Sequence, residues 1–96
     1  MTTRTQLVQL AQDNPVPGTK ELLVAIQDAT TQLQFATAKL NNIAEMVKRA
    51  AVDNPYAVVD SFIGIAGEYD VAGGQLNTLF LTLACVLENN GIKTEY

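Results

Sequence analysis

The chain contains neither histidine nor tryptophan, and it has one cysteine and three prolines among its 96 residues. Without histidine it cannot build a Ser-His-Asp or Cys-His catalytic set, and it lacks the most common general base. A single cysteine and no histidine also exclude nearly every zinc site, because these sites are built mainly from Cys and His ligands. The composition therefore argues against the commonest enzymes and metal-binding domains.

Basic residues are also scarce, since six Lys plus Arg face ten Asp plus Glu and give a net charge of -4. This is the wrong sign for a surface that binds the phosphate backbone of a nucleic acid. The tyrosines Tyr56, Tyr69 and Tyr96 are scattered and offer no platform on which bases could stack. We therefore expect no nucleic-acid partner.

The lone cysteine, Cys85, cannot form an internal disulfide, and it lies in the apolar run from Leu79 to Leu87. A reactive thiolate needs a nearby cation, and no Lys or Arg occurs between Arg49 and Lys93. Cysteine packs well as a small apolar side chain. We therefore expect Cys85 to be part of the core.

Long uninterrupted apolar runs are missing as well. The N-terminus leads into no apolar stretch of signal-peptide length. The most apolar window, from Val71 to Leu87, is interrupted by polar residues and falls short of the roughly 20 residues that a membrane span needs. We expect a cytoplasmic or virion protein that is not secreted by a signal peptide and has no membrane span.

The sequence does contain helix signals, and 48% of its residues are hydrophobic. No long stretch alternates apolar and polar residues as a half-buried strand would. These signals predict a single all-α domain over residues 1–96, an antiparallel helical bundle of about four helices. The first helix is expected from about Thr3 to Gln12. The segment Asp13–Gly18 ends it, because two prolines and a glycine within six residues cannot continue a helix.

The strongest pattern is an unbroken heptad repeat in the second predicted helix, which runs from about Thr19 to Val52. Apolar residues follow one another at spacings of four and three at these positions: Leu22, Ile26, Ala29, Leu33, Ala36, Leu40, Ile43, Val47 and Ala50. Large residues on one side of the stripe and mostly alanine on the other favour close packing against an antiparallel neighbour. The residues expected to make the interaction are Ile26, Leu33, Leu40, Ile43 and Val47.

The length of this second helix bears on how it is used. A continuous helix from Thr19 to Val52 would span roughly 50 Å, whereas a compact chain of this size is about 30 to 35 Å across. The helix must therefore break near Thr30-Thr31 or Asn41-Asn42, or project so that another chain covers its far end. The regularity of the heptad repeat favours projection.

Two further helices are expected in the second half of the chain. Asp53-Asn54-Pro55 is typical of a helix start, and the apolar residues up to about Glu68 cover more than half of the helix surface. Gly73-Gly74 predicts a turn or kink before a helix from Leu76 to Leu87. Asn89-Asn90-Gly91 supplies a left-handed C-cap.

Carboxylates are concentrated in this second half, where Asp60, Glu68 and Asp70 are the densest group. They are interpreted as a solvated helix face, an acidic face that meets a basic partner, or a Mg²⁺ site. Helical metal sites place carboxylates three or four residues apart, and these spacings are wider or narrower. The solvated face is therefore the preferred interpretation.

One stretch, Gly74–Ala84, resembles the last helix of the MazG-type nucleotide pyrophosphohydrolases, small all-α enzymes that bind Mg²⁺ through paired acids. That helix opens with a Glu-x-x-Asp pair in the family, and the matching positions here are Gln75 and Thr78. An earlier helix should offer Glu-x-x-Glu, for which the nearest candidates are Asp28 and Thr31. Three of the four ligands are missing, so the resemblance implies at most a metal-free relative.

These observations together predict a non-enzymatic protein with no catalytic residues, no cofactor and no metal. We expect a helical assembly protein that packs against copies of itself or a larger partner as a homo-oligomer. A virion subunit, such as a phage capsid-associated or connector protein, fits this description. The alternative is a small acidic inhibitor or immunity-type protein that binds and blocks a basic partner.

Overall fold

The computed structural model describes residues 2–48 and 55–96, and these residues form an all-α structure. Its helices are α1 (Arg4–Asp13), α2 (Thr19–Lys48) and α3 (Pro55–Asn89). The predicted all-α class is confirmed. The described residues form three helices, however, and not the four that we expected.

Helix α1 begins and ends where the sequence predicts. The Thr3 hydroxyl accepts a hydrogen bond from the Gln6 backbone N–H at 3.1 Å, and the Gln6 side chain accepts one from the Thr3 N–H at 2.9 Å. This reciprocal pair is a capping box. The helix stops at Asp13 ahead of the two prolines, and Gly18 adopts a φ of 94° before α2 begins.

Helix α2 is continuous through both of its predicted weak points. The hydroxyls of Thr30 and Thr31 donate to backbone carbonyls one turn earlier, at 2.8 and 3.0 Å, so these polar side chains are satisfied within the helix. The molecule measures 58 × 19 × 17 Å and is therefore elongated, and α3 lies beside α2 as far as Ile43 and Met46. The predicted end of α2 at Val52 and the predicted cap at Asp53-Asn54 lie outside the described residues.

The prediction of two separate helices in the second half of the chain is wrong, because α3 runs without a break through Gly73-Gly74. Neither glycine has a positive φ. Glycine costs a helix roughly 1 kcal/mol relative to alanine, and the packing of α2 along α3 outweighs that cost. The predicted C-cap is confirmed, since Gly91 has a φ of 83°. The Gly91 and Ile92 N–H groups donate to the carbonyls of Glu88 and Leu87, which is a Schellman motif.

Helices α2 and α3 run antiparallel along their length. Ala25–Gln32 line one groove with Gly74–Leu79, the Lys39 ammonium lies 3.2 Å from the Glu68 carboxylate, and Ile43 and Met46 lie beside Val58 and Ser61. We call residues 19–32 with 73–89 the proximal half of this pair. Residues 33–47 with 58–72 form the distal half.

The hydrophobic core lies in the proximal half, where α1 packs against α2 and α3. Its buried members are Leu7, Ala11, Ile26, Ala29, Leu76, Phe80, Leu83, Ala84 and Leu87. The Arg4 guanidinium lies over the Phe80 ring at 4.8 Å, and its Nε donates to the Tyr96 hydroxyl at 3.4 Å. The proximal half is thus a three-helix structure, whereas in the described residues the distal half consists of two helices.

Cys85 is exposed on α3, so the prediction that it packs in the core is wrong. The run from Leu79 to Leu87 is apolar on every side of the helix. The sequence therefore does not indicate which side of this run meets the rest of the fold. The sides bearing Phe80, Leu83 and Leu87 face inward, and Cys85 lies on the outer side.

Candidate interaction surface

The heptad residues singled out in the sequence follow α2 from the core to the distal end. Ile26 is buried within the core, Leu33, Leu40 and Ile43 are half-buried, and Val47 is 56% exposed. Much of this stripe is therefore occupied by the chain's own α3. Contacts between these residues and another chain stay a prediction.

Helix α3 carries the same kind of apolar face twice, five helical turns apart. Because eighteen residues make five turns of an α-helix, residues at that separation point in the same direction. Val58, Phe62, Ile65, Ala66 and Tyr69 in the distal half correspond in this way to Leu76, Phe80, Leu83, Ala84 and Leu87 in the proximal half. Phenylalanine matches phenylalanine and alanine matches alanine in this comparison.

The two copies of this face are covered to very different extents. Phe80 is 6% exposed and Leu87 is fully buried, whereas Phe62 is 51% exposed and Tyr69 is 42% exposed. Helix α1 adds Leu7 and Ala11 to the cluster that buries the proximal face. No third helix among the described residues does the same for the distal face.

Three exposed apolar residues of the distal half and the half-buried Ala66 form one continuous strip on α3, whereas Ile63 and Val71 are exposed on other sides of the helix. Val59, Phe62, Ala66 and Tyr69 follow one another at spacings of three, four and three, so they share one side of the helix. We call these four residues the Phe62 face. The same spacing continues through Gly73, Leu76, Phe80, Leu83 and Leu87. This second heptad stripe is readable from the sequence, although a heptad repeat was predicted for α2 alone.

Charged side chains lie outside the Phe62 face. Asp60, Glu68 and Asp70 are exposed and are spread over about 160° of the α3 circumference, at 100° per residue. Glu68 pairs with Lys39 of α2, and Asp70 borders the Phe62 face. The acids therefore do not converge on one patch. The described residues contain no group of three or more His, Cys, Asp or Glu side chains that could hold a metal ion.

A shallow, open groove lies on another side of the α2–α3 pair, in the proximal half. Small residues, Ala25, Ala29 and Gly74, form part of it, and Leu79 and four polar side chains line the remainder. Asp28 is the one ionisable side chain among its lining residues. The groove therefore offers no acid–base pair for catalysis.

One helical segment of the described residues, Val58–Asn89, is long and apolar enough to cross a membrane by length and composition alone. Core helices of soluble proteins pass the same test, and 33% of its most apolar window is buried in this fold. The segment includes Glu68 and Asp70 close to its middle. By itself it is weak support for membrane insertion.

Comparisons of the chain with protein-family models, with curated proteins and with solved structures give no match.

Proposed function

We propose that this chain is a non-enzymatic helical assembly protein that packs against copies of itself, alone or within a larger assembly. The Phe62 face is its contact surface, and the antiparallel helical bundle is completed between chains. The observation that carries this proposal is the doubled face of α3, which is buried under α1 at one end and half-exposed at the other. Exposed apolar patches rimmed by polar residues are typical of protein–protein contact sites.

We also propose where this assembly protein is found. A homo-oligomeric subunit of this size fits the cytoplasm or a virion, for example as a phage capsid-associated or connector protein. This setting rests on the small size and the helical character of the chain. Nucleic acid, cofactors, metal ions and a membrane span have no part in the proposal.

A small acidic inhibitor is the competing function, and the charge distribution favours it less. An inhibitor of a basic partner would place its acids on the contact surface, because charge complementarity guides such recognition. The Phe62 face contains no charged residue, and the acids of α3 point in several directions. Charge depletion is instead typical of the central part of interfaces between chains.

Size-exclusion chromatography with light scattering tests the proposal on the full chain and two variants. Phe62→Asp places a carboxylate on the proposed contact surface. Val71→Asp is the matched control, because Val71 is 61% exposed and lies half a helix circumference away from Phe62. We expect the wild type and Val71→Asp to form oligomers at micromolar concentration and Phe62→Asp to be monomeric.

Two results would contradict the proposal. A monomeric wild type up to millimolar concentration excludes self-assembly. Equal loss of oligomers in both variants shows that added negative charge, and not the Phe62 face, is responsible. Circular dichroism of each variant verifies that its helical content is retained.

A further inference from the structure

Resting on the proposed function, we infer that two copies of the chain pack antiparallel, Phe62 face against Phe62 face, about a two-fold axis near Ala66. Helix α3 of each partner then takes the position over Phe62 that α1 takes over Phe80. The distal halves of the two copies contribute two helices each. Their union is a four-helix antiparallel bundle, with a three-helix core at either end.

A second copy suits this face better than other occupants do. An uncharged apolar strip is self-complementary, because two such strips can meet without burying an unpaired charge. Helices that lie on membranes carry Lys and Arg on their polar side, whereas no Lys or Arg occurs in residues 50–92. The Asp70 carboxylate, which borders the Phe62 face, would be repelled by an anionic bilayer.

The position of α1 determines the direction of packing. Arg4 lies over Phe80, so α1 stands above the same side of α3 that carries the Phe62 face further along. In a parallel pair, α1 of one copy would meet α1 of the other and hold the distal halves apart by about two helix diameters, roughly 20 Å. In an antiparallel pair, each α1 lies beyond the contact region.

The available area suits a reversible dimer. The distal half is about 22 Å long at 1.5 Å per residue, and the molecule is 19 Å wide. The flat side of the α2–α3 layer in the distal half, which carries the Phe62 face, therefore projects roughly 400 Å², and two such sides with their side-chain relief bury about 1,000 Å² of accessible surface. Specific interfaces begin near this size. We therefore expect dissociation in the micromolar range.

Distance measurement by electron paramagnetic resonance tests the geometry without a mutation, because Cys85 is exposed and is the chain's one cysteine. Cys85 lies nineteen residues along α3 from Ala66, which is about 28 Å. Spin labels on two antiparallel copies are then expected at about 57 Å. Parallel copies would bring the labels to within roughly 25 Å, and that distance would overturn the inference.

Cross-linking supplies a second readout in the background Cys85→Ser. Ala66→Cys places the new thiol beside the two-fold axis, and Val71→Cys places it on the outer side of α3 as the control. A short bis-maleimide is expected to join two copies of the first variant and not of the second. Cross-linking through position 71 but not position 66 would overturn the inference.

The outcomes separate this inference from the function on which it rests. Oligomers with a short label distance contradict the antiparallel geometry and leave self-assembly intact. Monomers contradict both. Monomers that bind vesicles of phosphatidylcholine also contradict both, and they identify a lipid surface as the occupant of the Phe62 face.

Discussion

Replacing each of two phenylalanines on one helix separates the folding role of the apolar stripe from its assembly role. Phe62 and Phe80 lie on the same side of α3, five turns apart, yet their exposures are 51% and 6%. Phe80 contacts the core and the Arg4 guanidinium. Phe62→Ala and Phe80→Ala therefore remove the same atoms from two differently covered positions.

The expected magnitudes follow from these exposures. Phe80→Ala leaves a cavity in the core and should cost about 3–5 kcal/mol of monomer stability. Fully burying a phenylalanine contributes about 3 kcal/mol, so the half-buried Phe62 should cost the monomer about 1.5 kcal/mol. In the dimer the exposed half of each Phe62 side chain is also covered, and the two copies together contribute about 3 kcal/mol to the free energy of dimerisation. Phe62→Ala should therefore raise the dissociation constant about 100-fold.

Urea denaturation followed by circular dichroism measures the monomer stability of each variant, at concentrations low enough for the chain to be monomeric. Sedimentation velocity over a concentration series measures the dissociation constant of the dimer. Equal destabilisation of the diluted chain by both variants would refute the different burial of the two phenylalanines. An unchanged dissociation constant for Phe62→Ala would refute the role of Phe62 in the contact between copies.

Other predictions concern the monomer. Leu83→Ala should lower the free energy of unfolding by about 2–5 kcal/mol because Leu83 is fully buried. The control Leu81→Ala, at a position that is 51% exposed, should lower it by less than about 1 kcal/mol. Similar losses for the two variants in urea denaturation would contradict the assignment of the core. Gly74→Ala should raise the melting temperature because Gly74 is helical with open space around its Cβ position, and a decrease would contradict a continuous α3. Gly91→Ala should lower the melting temperature because Gly91 has a φ of 83°, and an increase would contradict the left-handed C-cap. Millimolar Mg²⁺ should leave the melting temperature unchanged, since no group of three metal-ligating side chains occurs in the described residues; a rise would indicate a metal site.

The local features of the fold were predictable because their causes are local. The proline-rich segment after Asp13 and the C-cap at Gly91 depend on backbone chemistry within a few residues. The heptad spacing of α2 likewise indicated a long helix with an antiparallel neighbour. Where a signal lies in consecutive residues, the sequence suffices to interpret it.

The errors share one physical origin, which is packing between distant segments. Gly73-Gly74 disfavours a helix locally, yet α2 lies along α3 at this point and the helix continues. Cys85 lies in a run that is apolar on all sides, and only the placement of α1 and α2 decides that it is outside.

The Phe62 face depends on packing in the same way. Its heptad spacing is readable from Val59 onward. The sequence does not show that α1 is long enough to cover Phe80 and too short to reach Phe62. The uncovered surface is therefore a property of the whole fold.

Sedimentation equilibrium of the unmodified 96-residue chain, from low micromolar to millimolar concentration, tests the central claim most directly. We expect the weight-average mass to rise from the monomer value of 10.3 kDa toward twice that value and to level off there. A mass that stays at the monomer value over the whole range would contradict the account.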